Sequence, residues 1–198
     1  VELLLRDRHE VTVLGRDAGR IRVKFGSRTS VALWSTAEDQ IWCEQVAAHD
    51  AVVNLAGEKA VGSRYTPGSK RRIRDSRVKS TRSLVDALAR ASKRPTRFIS
   101  ASAVGYYGPQ PSGRELDESA QSGKGFLAEL CHEWEDAALR ATKLDMDVTL
   151  LRFGIVFGPG GGAFEAMARP FRLGLGGRIG DGKQDVSFVS LVDAVRAI

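Results

Sequence analysis

Three strand-length apolar runs end in the same way, and that shared ending constrains the fold more than any other feature of the chain. Val52-Val53-Asn54-Leu55-Ala56-Gly57, Phe98-Ile99-Ser100-Ala101-Ser102-Ala103-Val104-Gly105-Tyr106-Tyr107-Gly108 and Leu151-Arg152-Phe153-Gly154-Ile155-Val156-Phe157-Gly158 each pass from branched or aromatic residues into a loop that holds glycine. Helical periodicity fills the intervals, from about 68 to 92 and from about 125 to 143. Strands alternating with helices of this length imply parallel βαβ crossovers. All three endings then fall on one sheet edge, where open α/β sheets bind their ligands.

The same reading extends to both sides. Residues 1–6 read as the last turns of a helix, His9 to Leu14 as a strand ending at Gly15-Arg16-Asp17, Thr29 to Trp34 as a weaker strand, and Thr36 to Ala48 as a helix. After Gly158 the texture becomes glycine-rich, with a short amphipathic piece at 164–171, a short strand at 186–189 and a helix starting at Leu191. The expected fold class is α/β, a doubly wound parallel sheet with helices on both faces. Residues 1–158 are read as the main domain and 159–198 as the start of a smaller region.

Composition excludes several classes. With 198 residues, 42% of them hydrophobic and 27% charged, the chain has the makeup of a globular core protein and no transmembrane run. The net charge of +6 concentrates at Lys70-Arg71-Arg72-Ile73-Arg74, but no aromatic residues interleave with it, so it reads as a solvated helix face and not as a nucleic-acid surface. Arg77 falls on the inward stripe of that helix with Ile73, Ser80, Leu84 and Leu88, and is expected to meet a buried carboxylate or a bound anion. Cys43 and Cys131 lie far apart without metal-ligand spacing, which points to reduced thiols in a cytoplasmic protein and to no metal site.

Asn-Leu-Ala-Gly-Glu at 54–58, Ser-Ala-Ser-Ala-Val-Gly-Tyr-Tyr-Gly at 100–108, Trp134-Glu135 and Pro170-Phe171-Arg172-Leu173-Gly174-Leu175-Gly176-Gly177 together resemble the extended short-chain dehydrogenase/reductase superfamily, in its NAD(P)-dependent epimerase/dehydratase group. The similarity is closest to the atypical branch called epimerase family protein. It implies a Rossmann-like fold, a nicotinamide cofactor, a carbonyl or hydroxyl substrate such as a nucleotide sugar, and a possible homodimer. By this resemblance Asn54, Leu55, Ala56 and Gly57 lie against the cofactor, and Phe153, Gly154, Ile155 and Val156 line its nicotinamide side. Arg16, directly after its strand, suits a 2′-phosphate and favours NADP over NAD, although Asp17 stands beside it. Ser102 is expected to act as the catalytic donor to a substrate oxygen.

Two departures accompany the resemblance. The family's Tyr-x-x-x-Lys pair, in which lysine supports the tyrosine as acid or base, has Phe126 and Leu130 at its spacing. Neither moves a proton, so Tyr106 and Tyr107 are read either as aromatic walls of the pocket or as proton donors, with Lys124, Glu129 and His132 as further candidates. The glycine-rich turn that receives a pyrophosphate, and the strand before it, also have no counterpart among these residues. The chain is therefore expected to be an internal portion of a longer protein, with the missing strand belonging between 11–14 and 51–55. An alternative reading is a cofactor-binding protein that has lost its catalysis, or an inactive fragment.

Overall fold

A computed structural model describes residues 1–34, 40–60, 64–159, 162–178 and 180–198. In chain order, α1 (Glu2–Arg6), β1 (Thr12–Gly15), α2 (Ala18–Phe25), β2 (Ser30–Leu33), α3 (Gln40–Ala47) and β3 (Ala51–Asn54) lead into a long helix. That helix comprises α4 (Pro67–Arg74), a π-helical turn (Asp75–Lys79) and α5 (Ser80–Arg90). β4 (Arg97–Ala103), α6 (Phe126–Leu139), β5 (Asp147–Phe153), β6 (Ile155–Phe157), α7 (Gly162–Arg172), β7 (Phe188–Ser190) and α8 (Leu191–Arg196) complete the chain. The expected helix at 36–48 is seen from Gln40; its start lies outside the described residues.

Every strand pair among the described residues is parallel. β2 pairs with β1, β3 with β4 and β4 with β5, and β6 with β7. This is the α/β class expected, parallel sheets flanked by helices. Among the described residues β1 and β3 are not hydrogen-bonded to each other, and the β1–β2 pair stands apart from the β3-β4-β5 ladder. The halves share one apolar core nonetheless: Leu14 and Ala32 pack with Trp42, Val46, Val52, Leu84, Leu88 and Phe98. Trp34 stacks on Trp42 with ring centroids 4.8 Å apart.

Alternation on the strands shows how the sheet is covered. Val52 and Asn54 of β3 and Phe98, Ser100 and Ser102 of β4 are buried, as expected for a face with period two. On α5, Thr81, Leu84, Val85 and Leu88 are buried against them. The long helix departs from its expected stripe at one place. A π turn carries an extra residue, so beyond it Val78 and Thr81 take the buried positions, and Arg77 and Ser80 are only partly covered. Helix α2 leaves no apolar pattern in the sequence because it buries no residue; the Asp17 carboxylate caps it, accepting from the Arg20 backbone N–H at 3.0 Å. No helix of the described residues is long and apolar enough to cross a membrane.

Candidate active site

The register of β3, β4 and β5 brings the three glycine-ended segments to one edge. Asn54 stands opposite Ser100, and β4 and β5 continue together to Ala103 and Phe153. On that side β3 runs on into Leu55-Ala56-Gly57, β4 into a 3-10 turn at Val104–Tyr107, and β5 into Gly154. Residues 54–57, 102–107 and 153–154 therefore share one end of the sheet.

Asn54 shapes the first segment. Its buried Nδ2 donates to Thr81 Oγ1 at 2.8 Å and to Ser100 Oγ at 3.2 Å, and its Oδ1 accepts from the Ala56 N–H at 3.3 Å. Trp134 Nε1 donates to the same Thr81 oxygen at 3.1 Å. The amide thus ties the strand end to α5, β4 and α6, and Asn54 holds the turn from beneath. The backbone that it presents, Leu55 to Gly57, is exposed. A Cβ on Gly57 would lie 2.9 Å from Arg77 Cζ, so the absent side chain is what lets the arginine pack under the turn.

Arg77 lies directly against that turn. It lies in the π turn, a helical irregularity frequently found at functional sites. Its Nη1 donates to the carbonyls of Glu58 at 2.9 Å and Ile73 at 3.3 Å, and its guanidinium lies 5.2 Å from the Trp134 ring. No carboxylate pairs with it among the described residues; Glu58 gives its carboxylate to Arg72. Burial lowers the Arg77 pKa, the mark of a cation held out of water without full compensation.

The second and third segments meet around Arg152. Ser102 and Arg152 are cross-strand partners, so both side chains leave the sheet on one face, and Glu135 of α6 binds both of them there. Arg152 grips that buried carboxylate side-on, Nε to Oε1 and Nη2 to Oε2, both at 2.8 Å. The pairing raises the guanidinium pKa, with the Tyr107 hydroxyl contributing. Arg152 Nη1 also donates to Tyr107 Oη at 3.1 Å, and the Tyr107 hydroxyl donates to the Asp117 carbonyl at 3.0 Å. The guanidinium carbon sits 3.6 Å from the centre of the Tyr106 ring, within cation–π range.

The Ser102 hydroxyl is 3% exposed and donates to Glu135 Oε1 at 2.6 Å. The reason is the pleat: Ser102 shares the inward parity of Phe98 and Ser100. Ile155 and Val156 lie in β6, whose backbone pairs with Phe188 and Val189, and both are partly exposed. Gly154 is the joint between β5 and β6, where a Cβ would lie 2.7 Å from the Ser187 carbonyl oxygen. Phe153 ends β5 partly buried, and Arg16 comes directly after β1, exposed and with no partner among the described residues. His132, paired with Asp136 at 3.2 Å, lies parallel to the Tyr106 ring with centroids 6.4 Å apart. Glu135 and Arg152 are not among the site residues expected from the sequence, yet a signal for them exists. Glu135 falls on the apolar stripe of Cys131, Trp134 and Ala138, and a carboxylate there requires a buried partner. Among the described residues no group of His, Cys, Asp or Glu could hold a metal.

Parallel strands with flanking helices, and three glycine-ended strand ends on one edge, define a Rossmann-like α/β protein. The NAD dependent epimerase/dehydratase family model matches residues 1–198, and the chain belongs to that family. An Arabidopsis thaliana "Epimerase family protein SDR39U1 homolog, chloroplastic" is 39% identical over 200 residues, covering 100% of this chain and 56% of the relative. "Epimerase family protein Mb2239" of Mycobacterium bovis is 44% identical over 149 residues, covering 75% of this chain and 48% of the relative. The chain thus spans about half the length of the curated relatives it matches. Among solved structures, human epimerase family protein SDR39U1 (isoform 2) with NADPH has a TM-score of 0.76 at 32% identity, covering 96% of this chain and 60% of that one. UDP-glucuronic acid 4-epimerase from Bacillus cereus, with UDP-glucuronic acid and NAD, has a TM-score of 0.79 at 17% identity, covering 98% and 66%, a likeness of fold.

Proposed function

We propose that the complete protein is an NADP-preferring oxidoreductase or epimerase that acts on a carbonyl or hydroxyl substrate, with a nucleotide sugar as the leading substrate class. The observation that carries this reading is the convergence of 54–57, 102–107 and 153–154 on one sheet edge, with Arg77 packed under the first turn. Arg77 fits an anionic cofactor because it is a half-buried cation whose described hydrogen bonds go only to backbone carbonyls. Leu55, Ala56 and Gly57 offer exposed backbone to a flat ligand, and Arg16 offers an exposed charge to a 2′-phosphate. The human relative's structure holds NADPH, which agrees with the preference.

When bound, the nicotinamide supplies or accepts hydride. The chain's own part is to hold the substrate oxygen and move its proton. Ser102 enters through Glu135, which it helps to hold against Arg152, and Tyr106 and Tyr107 lie on the 3-10 turn that leaves β4 at the same sheet end.

A second reading, a cofactor-binding protein without turnover, is favoured by Phe126 and Leu130 at the acid–base spacing and by the inward Ser102 hydroxyl. Titrating NADPH and NADH into the complete protein, followed by nicotinamide fluorescence, tests both readings. Tighter binding of NADPH, a preference for NADH in Arg16→Glu, and turnover of ketones or sugar nucleotides are the expected results. Binding without turnover selects the second reading, and no binding of either nucleotide contradicts both.

A further inference from the structure

We infer that Tyr106 is the proton-transferring residue of this site, and that Arg152 is its positioning residue, facing the Tyr106 ring with the charge that a lysine supplies in the family's Tyr-x-x-x-Lys pair. The inference rests on the reading of the crevice as a nicotinamide-dependent carbonyl/hydroxyl site. The chain has three tyrosines, and their surroundings separate them. The Tyr107 hydroxyl accepts from Arg152 Nη1 and donates to the Asp117 carbonyl, so its donor is committed to the protein. Tyr65 leans on Phe126 with centroids 5.5 Å apart, its hydroxyl 3.5 Å from the Ala60 carbonyl, and no cation lies over its ring among the described residues. The Tyr106 hydroxyl has no hydrogen-bond partner among the described residues, and its ring is partly exposed on the turn after β4.

The guanidinium over that ring is held from several directions. Glu135 takes two of its N–H groups, Tyr107 a third, and Ser102 fixes the same carboxylate from the strand beside it. Among the described residues, the charged and titratable groups facing Tyr106 are Arg152 from β5, His132 from α6 and the neighbouring Tyr107, with Glu135 and Asp136 behind the first two. Arg152 is thus the cation against the ring, and its orientation is built into the sheet.

NADPH, when bound, would supply the hydride, its dihydronicotinamide C–H bond breaking to leave NADP as the new C–H bond forms at the substrate carbonyl carbon and the π pair moves to oxygen. The Tyr106 O–H bond breaks, its proton passes to that oxygen, and the phenolate faces the Arg152 charge until water reprotonates it. Oxidation of an alcohol runs through the same groups in reverse.

The test uses the complete protein with NADPH and 4-nitroacetophenone, and with NADP and UDP-glucose. Tyr106→Phe keeps the ring and the cation contact, and is expected to lower kcat at least about 100-fold with NADPH affinity and melting temperature unchanged. Tyr107→Phe, which loosens Arg152, is expected to lose less than tenfold, and Tyr65→Phe serves as the control. Arg152→Lys is expected to lower kcat and displace the pH–kcat profile in the parent, with neither effect in a Tyr106→Phe background. A purely structural Arg152 lowers both alike. Should Arg152→Lys fail to fold, Tyr106→Phe still decides, since it leaves the Glu135 pair intact. Activity of Tyr106→Phe within threefold of the parent, or loss of NADPH affinity in step with kcat, overturns the inference while the cofactor reading stands. A parent protein that does not bind NADPH overturns both.

Discussion

Cys131 gives the clearest single-residue consequence of burial. Desolvation and the nearby Glu135 carboxylate push its thiol up to about 11 from an ordinary value near 9. The folded chain therefore holds a proton that the unfolded chain releases between pH 9 and 11, and stability falls across that window. A displacement of that size corresponds to about 2–3 kcal/mol. Denaturant unfolding at pH 8 and pH 10.5 should show about 2 kcal/mol of that loss in the parent and a smaller one in Cys131→Ala. Equal losses would assign the pH dependence to other groups. Gly57 makes a second prediction at this scale. Gly57→Ala places a methyl against the Arg77 guanidinium, which must swing away, so NADPH affinity should fall about tenfold or more in fluorescence titration with little change in melting temperature. Unchanged affinity would separate Arg77 from the cofactor.

At the scale of elements, α6 is fastened to β5 by the Glu135–Arg152 pair and to α5 by Trp134 on Thr81. Removing one member of a buried ion pair leaves the other unpaired and costs about 3–5 kcal/mol. Glu135→Ala should lower stability by that order in chemical denaturation, because Arg152 and Ser102 lose their shared partner. A loss below about 1 kcal/mol would show that water replaces the carboxylate freely. Thr81→Val removes the oxygen that accepts from both Asn54 and Trp134, and should cost about 1–3 kcal/mol by the same measurement. The elements are legible in the sequence in unequal measure. Strands β3 to β5 and the helices beside them announce themselves by apolar period and glycine endings. Helix α2, which buries nothing, leaves no such trace, and the π turn shifts the buried stripe in a way that a uniform 3.6-residue repeat does not express. The side of β4 from which Ser102 projects is a matter of strand parity, and Phe98 and Ser100 already carry it. The partners are harder to see, since nothing local in the chain says that residue 135 will meet residue 152.

For the whole molecule, the parallel order β3-β4-β5 makes one edge out of three distant stretches of chain, and the core shared by Leu14, Val52 and Leu88 joins the β1–β2 pair to it. The family to which the chain belongs is NAD dependent, and open α/β sheets of this kind take their nucleotides at such an edge. Hydrogen exchange of the complete protein with and without NADPH measures this claim directly. Protection of backbone amides at 55–58, 104–108 and 153–156 together is the predicted result. NADPH binding that leaves those three segments unprotected, or protects only one of them, would contradict the assignment of the crevice.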